Sequence, residues 1–198
     1  MIISHEYKIV FICIHKNASQ FVTKIILNID PNAIKDCTGT GLFKDGHQTF
    51  KFIKTMDIYS IIKDYTFFVI IRNPIDQLIS WWNYTRNNCE FQSPSIQEFI
   101  KNNEWVPDQL EYITDINGDI NYNIKFINFN KLQIQLTQLF ISLGINTELI
   151  NKYNYMYDKK INDSIQYYTK NKNTKNDLKL LLYNKKFAEN LFFYNILF

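Results

Sequence analysis

The chain has 198 residues, of which 46% are hydrophobic and 16% aromatic, enough to bury the core of one folded domain and to exclude disorder. Five glycines and four prolines argue against a loop-dominated or many-turned all-β fold. A net charge of +3 suits an anionic small molecule and falls short of the basic footprint of a nucleic-acid binder.

Taken in order, Ile9 to Ile14 form an unbroken apolar run rich in β-branched residues, short enough for a strand buried on both faces. A polar loop follows, His15-Lys16-Asn17-Ala18-Ser19, and then Val22, Ile25, Ile26 and Ile29 recur at helical spacing. A strand, a short loop with a lysine and a hydroxyl, then a helix presents backbone N–H groups and a positive helix end to an anion. A phosphate or sulfate cradle is the expectation here. Pro31 to Gly46 reads as a loop, and Gly46-His47-Gln48-Thr49 follows it. Asp57 to Tyr65 reads as a helix on the spacing of Ile58, Ile61 and Ile62. Thr66 to Ile71 is a second buried strand, ending at Arg72-Asn73-Pro74. There Asn73 is a fitting N-cap and Pro74 takes the first helical position. The helix that follows buries Ile75, Leu78, Ile79 and Trp82, with Asp76, Ser80, Asn83 and Asn87 as its polar stripe.

Further on, Ser95 and Glu98 form a capping box that opens a short helix through Asn103. Tyr112 to Phe129 reads as a strand pair around Asn117-Gly118, leading to a third core strand at Ile124 to Phe129. Leu132 to Leu143 is an amphipathic helix closed by Gly144. Lys159 to Asn176 is polar throughout and reads as a solvated surface, with a mobile flap as the alternative, and a last helix from Asn176 to Asn195 carries Leu178, Leu181, Leu182 and Phe187. Strands alternating with helices, without a repeat or a domain boundary, predict a single α/β domain over residues 1–198. Its centre would be a P-loop-like, mostly parallel sheet with helices on both faces.

Cys13 falls in the first strand, where an inert thiol is expected. Cys37 and Cys89 are either a bridge or two thiols, and no cysteine spacing suggests a metal site or redox pair. No apolar run reaches the roughly 18 residues that span a bilayer, and the N-terminus lacks a basic-then-apolar signal pattern. The expectation is a soluble protein, cytoplasmic or otherwise intracellular, without a nucleic-acid partner.

Two strand-to-helix junctions deliver cationic or hydroxyl groups: Lys16 and Ser19 at the first, Arg72 and Ser80 at the second. In a parallel sheet both leave the carboxyl ends of strands, the edge where α/β proteins bind ligands. Arg72 offers a planar fork matched to a phosphate, though an ion pair with Asp76 one turn on would also occupy it. Ser80, eight residues beyond Arg72, is about two turns into the helix and adds a hydroxyl. Gly-x-x-x-x-Gly-Lys-Ser/Thr is absent, which counts against an ordinary ATP or GTP phosphotransferase, the runner-up enzyme class.

The stretch IHKNASQF resembles the 5′-phosphosulfate loop of sulfotransferases, usually Pro-Lys-Thr/Ser-Gly-Thr-Thr/Ser after the first strand. FFVIIRNPIDQLISWW resembles their 3′-phosphate motif, Arg-x-Pro after a hydrophobic strand with Ser eight residues beyond the Arg. Gly46-His47-Gln48-Thr49 is similar to the His-containing segment of carbohydrate-type members, and IKFINFNKLQIQLTQLFISLGI to their late strand and helix. The resemblance implies transfer of a sulfuryl group from 3′-phosphoadenosine 5′-phosphosulfate (PAPS) to a hydroxyl or amine on a carbohydrate, small molecule or protein side chain. Adenosine 3′,5′-bisphosphate would be the product, and no metal would be needed. By that likeness Lys16 neutralises charge on the leaving phosphate, assisted by the N–H groups of Asn17, Ala18, Ser19 and Gln20, with Phe21 closing the loop segment. Arg72 and Ser80 would hold the 3′-phosphate, and His47 would be the general base, with His15 as its competitor. Ala18 and Gln20 stand where the pattern has Gly and Thr, Gln77 where Arg is frequent, and Asn128 where Glu is usual. Those departures keep open a nucleotide- or glycan-binding relative that has lost catalysis.

Overall fold

The computed structural model describes residues 1–35, 46–88, 96, 98–99, 108–146, 148–150 and 185–198. In chain order the elements are β1 (Ile2–Ser4), β2 (Ile9–Ile12), α1 (Ser19–Ile29), β3 (Ile34–Lys35), α2 (Phe50–Ile53), α3 (Tyr59–Ile62) and β4 (Thr66–Ile71). Then come α4 (Pro74–Asn88), a 3₁₀ turn at Leu110–Tyr112, β5 (Lys125–Asn128), a 3₁₀ turn at Phe129–Lys131, α5 (Leu132–Ser142) and α6 (Lys185–Leu197). They fall into two compact units, Met1–Ile71 with Gln109–Asn154, and Arg72–Asp108 with Tyr155–Phe198.

The first unit is built on a five-stranded sheet of order β3-β1-β2-β4-β5. β2, β4 and β5 run parallel, as the buried apolar runs predict. β1 pairs antiparallel with both β2 and β3, so the sheet is mixed rather than wholly parallel. The four residues between β1 and β2, with Lys8 in the left-handed region at φ 51°, are too few for a crossover and return the chain antiparallel. Ile34–Lys35, inside the expected loop, completes that edge.

Adjacent residues of β4 point to opposite faces. Phe68 stacks on its cross-strand partner Phe11 at 5.0 Å and meets Phe140 of α5 edge-on at 6.3 Å. Phe67 meets Phe50 of α2 edge-on at 5.5 Å, so α5 and α2 cover opposite faces. The fold is α/β, with helices on both sides of the sheet.

Gly144 closes α5 as expected. It sits at φ 76°, its N–H reaches the Ile141 carbonyl at 3.0 Å, and the Ile145 N–H reaches back to Phe140 at 3.0 Å, a Schellman closure. The expected strand pair before β5 shrinks to one bridge, Thr114 with Ile120. The Asp115 carboxylate takes the Asn117 and Asp119 N–H groups at 2.8 and 3.1 Å, diverting donors that a ladder would need. The helix expected over Asp57 to Tyr65 is the single turn α3.

In the second unit the Asn73 Oδ1 accepts the Ile75 N–H at 2.9 Å, the cap that the sequence predicts for α4. Leu78, Ile79 and Trp82 bury against Ile96, Phe99 and Phe187, with Ile75 packed on that cluster. Asn190 of α6 donates to Asp108 at 2.8 Å. Cys37, Cys89, Ser95, residues 159–176 and Leu178 to Leu182 lie outside the described residues. No helix among the described residues is long and apolar enough to cross a membrane.

Candidate functional site

The loop between β2 and α1 holds two residues in the left-handed region, Lys16 at φ 61° and Ala18 at φ 59°. Left-handed turns set beside helical ones aim successive N–H groups into a shared concavity, which favours anions. The first rungs of α1 are made by the Phe21 and Val22 N–H groups on the Ala18 carbonyl, both at 3.0 Å. Ser19 and Gln20 therefore lie ahead of the helix's own ladder, their N–H groups at its positive end. Ser19 is tied down by donating its hydroxyl to the Ile14 carbonyl at 2.6 Å, so its oxygen keeps only acceptor capacity in that rotamer. Gln20 is exposed, while Lys16, Ala18 and Phe21 are half-buried.

Asn17 differs from the expectation. Its N–H turns back to the Ile14 carbonyl at 3.3 Å, and its side chain is buried, at 1% exposure. Nδ2 donates to the Ile70 carbonyl at 2.7 Å and to Gln109 Oε1 at 2.6 Å. A carbonyl oxygen only accepts, so these contacts fix which way the amide faces. Asn17 is thus a strut that pins the loop to the carboxyl end of β4. Gln109, its partner 92 positions away, carries no signal in the sequence.

His47 sits in the same unit. The Met1 amine donates to the Gly46 carbonyl and to Gln48 Oε1, holding the residues on either side of it. His47 Nδ1 is 2.8 Å from the Cys13 carbonyl. Because that oxygen can only accept, Nδ1 carries the hydrogen and Nε2 of the neutral ring carries the lone pair. The ring of His15 stacks on it, with centroids 3.5 Å apart and planes inclined by 20°. His15 Nδ1 in turn is 2.8 Å from the Tyr112 hydroxyl. Cys13 is a free, buried cysteine, and burial pushes its thiol up from the ordinary range, so it is inert as expected.

Arg72 and Ser80 belong to the second unit. Arg72 is the residue after β4, with 6% of its surface exposed, and Ser80 is half-buried on α4. Burial pushes the Asp76 carboxyl up, and the Arg72 charge pulls it part of the way back. The structure therefore brings Lys16, Asn17, Ala18, Ser19, Gln20, Phe21 and His47 into one unit, and Arg72 and Ser80 into the other. Asn128 caps the 3₁₀ turn before α5, its Oδ1 accepting from the Asn130 N–H at 2.8 Å.

A family model described as the sulfotransferase family matches residues 1–191. The chain belongs to the sulfotransferase family. No curated protein and no solved structure matches it at a significant level. Membership carries sulfuryl transfer as the general chemistry, with an acceptor substrate on the receiving side. The left-handed angle at Ala18 costs a residue with a Cβ about 1–2 kcal/mol, a strain that glycine would not carry.

Proposed function

We propose that the chain transfers a sulfuryl group from PAPS to a hydroxyl or amine acceptor, a carbohydrate being one candidate class, within a single sulfotransferase domain over residues 1–198. The junction of β2 with α1 carries this reading, because a left-handed pair, a lysine and a helix N-terminus follow a buried strand. Those groups fit the phosphosulfate end of such a donor. In this reading Lys16 and the N–H groups from Ala18 to Gln20 meet the charge on the leaving 5′-phosphate oxygen. His47 takes the acceptor's proton on Nε2 as the acceptor oxygen attacks sulfur. Arg72 and Ser80 hold the 3′-phosphate, a role that rests on the sequence motif and on the buried guanidinium. PAPS supplies the activated sulfuryl group when bound.

Calorimetry separates this from a phosphotransferase. Adenosine 3′,5′-bisphosphate should bind more tightly than ATP, and a preference for ATP would overturn the proposal. Release of the bisphosphate from PAPS in the presence of glycan, phenol or lipid acceptors should vanish in Lys16→Ala. Binding without any turnover would instead mark a nucleotide-binding relative that has lost catalysis.

A further inference from the structure

His15 occupies the position where the phosphosulfate loop usually has proline, and its ring lies face to face with the ring of His47. Two imidazolium ions at that separation repel strongly, whereas an imidazolium against a neutral ring gains from its π face. Groups coupled in this way titrate as a pair. Both rings are also held: His47 by the Cys13 carbonyl and His15 by the hydroxyl of Tyr112, itself 3% exposed. Among the described residues, the titratable groups on the segments around the pair are the Met1 amine, the Cys13 thiol, Lys16, Tyr112, and Lys51 of α2 paired with Glu111 at 3.7 Å.

We propose that His15 is a positioning residue for His47: Tyr112 holds it against the His47 ring, and the stacked rings accept one proton between them rather than two. A proton resting on His15 then leaves the lone pair on His47 Nε2, so the pair stays competent below the pH at which a lone imidazole would be blocked. This rests on His47 being the base.

The test follows the imidazole Cε1–H signals of the full chain by NMR across pH, in wild type, His15→Phe and Tyr112→Phe. In wild type the His47 signal should move in two separated steps. His15→Phe keeps an aromatic face without a second titrating ring, and there it should move in one. The acid limb of kcat/KM should likewise narrow from two steps to one. Tyr112→Phe should alter the share of the first proton that each ring takes. Identical His47 titration curves in wild type and His15→Phe would overturn the inference, and His15→Gln gives the same readout if the phenylalanine variant fails to fold. Full turnover in His47→Ala would remove the base assignment alone, since the ring titrations are read without substrate.

Discussion

Ala18 adopts a backbone angle that glycine enters freely and alanine does not. Ala18→Gly should therefore stabilise the fold, by up to about 1 kcal/mol once the extra freedom of the unfolded chain is subtracted. Urea midpoints measure it, and a lower midpoint would show that the strain is absorbed elsewhere. His47→Ala should lower turnover by about 10²–10⁴-fold, the usual worth of a positioned proton acceptor, while calorimetry shows the bisphosphate still bound. At this scale the sequence marks Lys16 and Arg72 because each follows a long apolar run. It cannot mark the work of Asn17, whose amide meets Ile70 and Gln109, 53 and 92 positions away. Nor does it show that Tyr112, 97 positions from His15, holds that ring.

Elements were legible where a local pattern decides them. β4 runs over Thr66–Ile71 as its hydrophobic run predicts, and Asn73 caps α4 through the side-chain oxygen expected of it. Asn73→Ala should cost about 1 kcal/mol in thermal or urea unfolding. Gly144→Ala tests the Schellman closure cleanly, since an added Cβ meets nothing within 4 Å. Its expected cost of about 1 kcal/mol is then backbone strain alone, and an unchanged midpoint would mean that the turn relaxes. β1 and β3 escaped notice for the opposite reason. Three and two residues long, they show no periodicity, and only pairing with neighbours makes them strands. The expected hairpin before β5 failed because one carboxylate, Asp115, outcompetes the ladder for N–H donors.

For the molecule as a whole, alternation of apolar runs with helical spacing was enough to read an α/β fold, but not the mixed sense of its sheet. Electrostatics at this scale lead to a pH dependence. Burial, opposed by Arg72, raises the Asp76 carboxyl above its ordinary value of 3.8. The folded state thus binds a proton more readily than the unfolded chain. The associated stability is complete below the ordinary value and is lost as pH rises through the raised one. Asp76→Asn should remove that decline, so its urea midpoint should gain on wild type as pH rises above the ordinary carboxylate value of 3.8. Parallel midpoints in the two proteins would assign the trend to another group.

Because the Asn17 side-chain amide ties together three stretches distant in the chain, the loop between β2 and α1 has to wait for its supports. The tie to Gln109, 92 positions away, reaches further along the chain than the pairing of β2 with β4, so closing its loop costs more entropy and comes later. Refolding followed by NMR should therefore show the backbone N–H groups of β2 and β4 protected before the side-chain amide signals of Asn17 reach their native positions. If that loop holds the sulfuryl donor as proposed, competence to bind it would then emerge as the last event of assembly, not its seed.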